Sequence, residues 1–95
     1  MYGVLKTIRF EKSFRKLLKS GMFKSAVQKN FEEAVITLTK GRRLPVSYAD
    51  HQLSGEQQAY RECHIKGDLL LIYHRRDDIQ KIILVDIGSH SYLFG

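Results

Sequence analysis

The chain has 95 residues, 43% of them hydrophobic, with a formal net charge of +6, enough for one domain over 1–95 with a modest core and not the composition of a disordered tail. Its longest apolar run, Leu69-Leu70-Leu71-Ile72-Tyr73, falls far short of the roughly 20 residues that a membrane-spanning helix needs. Met1 to Lys6 lacks the parts of a signal peptide, and Cys63 is the lone cysteine, so no membrane, no internal disulfide and a cytoplasmic setting are expected.

Residues 4–10, Val4-Leu5-Lys6-Thr7-Ile8-Arg9-Phe10, alternate and carry β-branched side chains, which predicts a first strand. Phe10, Phe14, Leu17 and Leu18 then recur at helical spacing in a basic segment that stops near Ser20-Gly21. A second helix follows, with Val27, Phe31, Ala34, Val35 and Leu38 as its apolar stripe and Gly41 with Pro45 as its end. Residues 41–58 read as a loop. Strands resume over 59–65, 68–74 and 79–87, broken by Gly67-Asp68 and Arg76-Asp77-Asp78, as in an antiparallel meander. The expected class is α+β in the order β-α-α-β-β-β, an antiparallel sheet with a helical hairpin packed on one face. Leu69 to Tyr73 would be its central strand, covered on both faces.

Charge divides this order in two. Residues 1–43 hold eleven Lys and Arg against three acids, whereas residues 44–95 hold five against seven. The basic half suits phosphates or an acidic partner, with Lys12, Lys16 and Lys19 on the first helix as candidate docking residues. The other half holds all four histidines, three of them beside acids or aromatics: Asp50-His51, Arg61-Glu62-Cys63-His64 with Asp68 behind it, and His90-Ser91-Tyr92-Leu93-Phe94. Histidine gains and loses a proton near neutral pH, which general acid–base chemistry requires. Alternation puts Arg61, Cys63 and Ile65 on one face of their strand and Tyr60, Glu62 and His64 on the other. Arg61 must then reach the strand's edge or pair with an acid. Taken alone, Asp50-His51 reads as a loop pair in which the aspartate caps a turn, and His74 as an exposed strand end.

The succession Asp50-His51-x-Leu53-x-Gly55, Tyr60-Arg61-Glu62-x-His64, Asp68 before a hydrophobic strand, and Gly88-x-His90-x-x-Leu93-Phe94-Gly95 closely resembles the YafQ branch of RelE-type toxins. The resemblance spans nearly the whole chain, although the helical half matches only in type. It implies a RelE-like fold and a ribosome-dependent mRNA endonuclease that cuts in the A site. It also implies silencing by a cognate antitoxin of the RelB or DinJ kind. The family's active-site residues fall on His51, His64, Asp68, His90 and Phe94, and Glu62 stands where YafQ has aspartate.

Metal-independent RNA cleavage needs a base for the 2′-hydroxyl proton, donors on the phosphate and an acid for the 5′-oxygen. His64 beside Asp68 or Glu62 offers the base, and either carboxylate is itself an alternative. His90, in a short tail after the last strand, would be the acid, and Phe94 would stack on a splayed base. Arg61 and a protonated His51 would hold the phosphate. No cofactor is expected: Cys63 and His64 are adjacent and so point apart on a strand, and no Cys-x-x-Cys or His-x-x-x-His spacing occurs. Convergence of His51, His64 and His90 on one metal is neither supported nor forbidden by spacing. A phosphate-binding loop, a nucleophile elbow and a dinucleotide fingerprint are all absent. The alternative function is a binding module for RNA, ribosome or antitoxin in which the histidines are incidental.

Overall fold

Thr7 decides where the first strand gives way to the first helix. In the computed structural model, which describes residues 1–55 and 59–95, β1 is only Gly3–Lys6 and α1 runs from Ile8 to Lys19. The strand expected over 4–10 therefore ends early. The Thr7 hydroxyl accepts the Phe10 amide at 2.9 Å as the helix N-cap and donates to the Val85 carbonyl at 2.7 Å. One side chain thus satisfies a free helix amide and ties α1 to the sheet.

The second helix, α2, spans Ser25–Thr39 and buries Ala34 and Leu38, with Val27, Phe31 and Val35 packed against the core as its stripe requires. Gly41, at φ +72, closes it: its amide bonds to Leu38 O and that of Arg42 to Thr37 O, the paired bonds of a Schellman cap. Phe10 stacks on Phe14 of α1 and on Phe31 of α2, and Phe14 meets Phe31 at a tilt, with ring centroids 5.5–6.2 Å apart. These rings hold the hairpin together.

Among the described residues the remaining strands are β2 (His51–Gln52), β3 (Arg61–Lys66), β4 (Leu69–Arg76) and β5 (Lys81–Ser89), in the spatial order β1-β5-β4-β3-β2. The meander β3-β4-β5 is antiparallel as expected, but β1 lies parallel to β5, so the sheet is mixed. The segment expected to be loop holds a 3-10 turn at Val46–Tyr48 and the short β2, while its part over 56–58 lies outside the described residues. After β5 comes a last helix, α3, at His90–Phe94. No described helix is long and apolar enough to cross a membrane.

β4 is the central strand. Its Leu71 and Tyr73 join Cys63, Ile65, Ile82, Leu84 and Ile87 under the helices, while Leu70 and Ile72, on the opposite face, are 2% and 6% exposed. The β4–β5 register shifts: Tyr73 pairs with Leu84 and Ile72 with Asp86, leaving Val85 without an opposite number. This bulge reverses the facing of all that follows on β5. Ile87 joins Ile82 and Leu84 in the core, and Asp86 turns to the side of Leu70 and Ile72.

Candidate active site

Alternation along β3 sends Glu62 and His64 to the face away from the helices, and the register extends that face sideways. His51 stands opposite Glu62, Glu62 opposite Ile72, and Ile72 opposite Asp86. The neighbouring row on the same face is His64, Leu70 and Gly88, about 6–7 Å further along the strands. Asp68, in the β3–β4 turn, and His90, just past β5, continue in that direction. Segments remote in sequence thus contribute to one surface floored by Leu70 and Ile72.

Glu62 is the centre of the first row. Its Oε1 lies 3.6 Å from His51 Nε2 and 3.8 Å from His64 Nε2, and the carboxylate is 92% closed to solvent while the two rings are about half exposed. His51 Nδ1 is 2.8 Å from the Ala49 carbonyl. A carbonyl only accepts, so this nitrogen carries a proton, and the Nε2 edge faces Glu62. Both contacts with Glu62 exceed hydrogen-bond length, a looseness common in sites that tighten on substrate.

The C-terminal segment is more ordered than a tail. Ser89 caps α3 by accepting the Tyr92 amide at 3.2 Å, and Asp68 Oδ1 accepts the His90 amide at 3.4 Å. Asp68 therefore meets the backbone of His90. The rings of His90 and Phe94 lie 5.1 Å apart. Tyr92 fastens the helix to the body: its ring lies so close to Gly88 that an added Cβ would collide with it. Its hydroxyl is 3.0 Å from Ser13 Oγ, and Lys16 Nζ stands 5.6 Å from its centroid.

The other candidates lie apart from this surface. Arg61 points to the helix-covered side, where its Nε donates to Asp50 Oδ1 at 3.2 Å while the Tyr73 hydroxyl donates to the same oxygen at 2.7 Å. Burial, the largest single influence, opposes the charge of Arg61, but the hydrogen bond and charge of Asp50, together with Tyr73, outweigh it and raise the guanidinium pKa. Burial, reinforced by the charges of Asp50 and Glu62, pushes the Cys63 thiol well above its ordinary range, so it stays protonated and inert. Lys12, Lys16 and Lys19 line a groove on α1 with Arg9, Arg15, Ser13 and Tyr92, beside α3. His74 stacks edge-on against Tyr60, with centroids 5.6 Å apart.

Sequence reasoning missed one cluster. Asp86, 6% exposed, accepts the Ser13 hydroxyl at 2.6 Å and the Ile87 amide at 2.9 Å through Oδ1, while Oδ2 lies 3.4 Å from Arg9 Nε. Plain alternation would have put Asp86 beside Ile82 and Leu84 in the core. The available signal was an acid inside an otherwise apolar strand, which calls for a bulge or a buried partner.

A profile of the family described as bacterial toxin of type II toxin-antitoxin system, YafQ, matches residues 6–95. The mRNA interferase toxin YafQ of Escherichia coli is 38% identical over 52 residues, 55% of this chain and 54% of that protein. The matched stretch spans about half the length of the curated relatives. Among solved structures, a copper-bound mutant toxin from Helicobacter pylori superposes with a TM-score of 0.87 at 39% identity, over 99% of this chain and all of that one. The Escherichia coli DinJ-YafQ complex gives a TM-score of 0.84 at 25% identity, with both chains covered in full. Among the described residues no three His, Cys, Asp or Glu side chains converge in a way that would hold a metal ion.

Proposed function

Because this chain belongs to the YafQ family of bacterial type II toxin–antitoxin toxins, we propose that it is a toxin that cuts ribosome-bound mRNA in the A site by metal-independent acid–base catalysis and is restrained by a cognate antitoxin. The observation that carries this reading is the Glu62 carboxylate set between His51 and His64 on the face that also leads to Asp68 and His90. The interferase name of the Escherichia coli relative and the DinJ partner of YafQ support the activity and the antitoxin.

Roles follow from exposure and from which nitrogen is engaged. His64 is accessible and Glu62 is not, so His64 is the base and Glu62 its orienting partner. With Nε2 turned to the carboxylate, Nδ1 holds the free lone pair and takes the 2′-hydroxyl proton. The 2′-oxygen attacks phosphorus, the bond from phosphorus to the 5′-oxygen breaks, and that oxygen takes a proton from His90. The products are a 2′,3′-cyclic phosphate and a 5′-hydroxyl. His51, protonated on both nitrogens beside Glu62, adds positive charge near the phosphate, and Phe94 offers a ring to a displaced base. Lys12, Lys16 and Lys19 serve docking by counterion release.

The test is expression without an antitoxin. Growth and translation should stop, His64→Ala should restore both, and cleaved messages should carry 5′-hydroxyl ends. Arrest that survives His64→Ala, or 5′-phosphate ends, refutes the mechanism.

A further inference from the structure

We infer that Arg9 is the phosphate-binding cation of this site, held in place by Asp86; the inference rests on the ribonuclease reading above. Charge builds on the phosphate oxygens as the 2′-oxygen attacks, and a fixed donor there is worth far more than one recruited from water. His51, Glu62, His64, Asp68 and His90 include no permanent cation. Of the two permanent cations on β3, Arg61 is committed to Asp50 beneath the helices, and Lys66 ends the strand at its turn, beyond the row of Glu62, Ile72 and Asp86.

Asp86 occupies the β5 end of the row that begins with His51 and Glu62. It stands one strand spacing, about 5 Å, from Ile72 and two spacings, about 10 Å, from Glu62. An RNA phosphate over Leu70 and Ile72 therefore lies between Glu62 with His64 on one side and Asp86 with Arg9 on the other. Ser13 and the Ile87 amide occupy Oδ1 of Asp86 and fix its plane, leaving Oδ2 to face Arg9 Nε. The Arg9 side chain is 74% exposed whereas that of Asp86 is 9% exposed. Arginine presents five N–H donors in a rigid fork, so the edge next to Nε can be anchored while the terminal nitrogens reach a second anion. A merely superficial pair would not need a buried acid already bonded to two other donors. Arg9 also stands in the groove of Lys12, Lys16 and Lys19, which makes it the point where docking surface and reacting phosphate meet.

The test is single-turnover cleavage of mRNA on programmed ribosomes, at limiting and saturating toxin, for wild type, Arg9→Ala, Arg9→Lys, His64→Ala and Lys40→Ala. Lys40 is exposed at the end of α2 and its loss removes the same charge away from the site. Arg9→Ala should lower the saturated rate by about 10²–10³-fold, the usual loss for one transition-state donor. Arg9→Lys should recover part of it, and Lys40→Ala should stay within about two-fold of wild type. Unchanged thermal midpoints would exclude misfolding. Arg9→Ala cutting at the Lys40→Ala rate while His64→Ala does not cut overturns the role of Arg9 alone. A loss confined to limiting toxin assigns Arg9 to docking and equally overturns it. Failure of wild type to cut overturns the ribonuclease reading and this inference with it.

Discussion

Asp50, just before β2, and Glu62, on the neighbouring β3, are both acids, yet they lie on opposite sides of the sheet and are held in opposite ways. Asp50, on the helix-covered face, receives the Tyr73 hydroxyl at 2.7 Å and Arg61 at 3.2 Å. Burial first, and then the Asp50 hydrogen bond, push the Tyr73 phenol far above its ordinary pKa, so it remains a donor at any physiological pH. Glu62, on the other face, is met among the described residues by imidazoles at 3.6 and 3.8 Å. Short bonds consume an acid's capacity for new partners, and long ones leave it available. Under the proposed mechanism the first acid belongs to the fold and the second to chemistry.

Replacing Glu62 puts the sharpest strain on that contrast. Glu62→Gln keeps the shape and removes the charge that orients His64. Cleavage at saturating toxin should fall by about 10²–10⁴-fold, the range for impaired general base catalysis, with the concentration dependence and thermal midpoint retained. A midpoint that collapses instead would make Glu62 a second Asp50.

Asp50→Ala should do the converse. It leaves the buried Tyr73 hydroxyl and Arg61 without their shared acceptor, at a cost of about 1–3 kcal/mol. The urea midpoint should drop with its slope unchanged, while cleavage per folded molecule stays near that of wild type. A lost rate without lost stability would place Asp50 in the site and erase the distinction.

The two faces were unequally legible in the sequence. Alternation alone assigned Glu62 and His64 to one side and Cys63 and Ile65 to the other, because β3 is regular from Arg61 to His64 and its apolar members admit one facing. It also left Arg61 to reach the strand's edge or pair with an acid, and the structure pairs it with Asp50, which taken alone reads as the cap of a turn. The motif order supplied His51, Asp68 and His90, which no periodicity marks. The facing of Asp86 went unread because one unpaired residue, Val85, inverts every later position on β5, and its one trace in the sequence is the acid itself inside an apolar strand. The early end of β1 has a similar origin. Thr7 is a good strand residue and a good N-cap, and its bond to Val85 O, remote in sequence, selects the second role.

The smallest expected effect comes from the link that joins α3 to the body. Residues 90–94 read as a mobile tail in sequence, whereas here Tyr92 lies against Gly88 and its hydroxyl meets Ser13, which in turn donates to Asp86. Tyr92→Phe keeps the ring and the nearby Lys16 ammonium but breaks the link to Ser13. One such hydrogen bond contributes about 0.5–1.5 kcal/mol, so if it serves to hold His90 over the phosphate, the saturated rate should fall by no more than about ten-fold. Amide exchange across 90–94 should quicken in step, while the core strands exchange as before. Faster exchange with an unchanged rate would mean that His90 reaches the phosphate equally well from an undocked chain. Docking of α3 by Tyr92 would then be a feature of the free protein alone. A matched loss in both would mean that the polar chain from Asp86 through Ser13 to Tyr92 couples the two ends of the site, because Asp86 also carries Arg9.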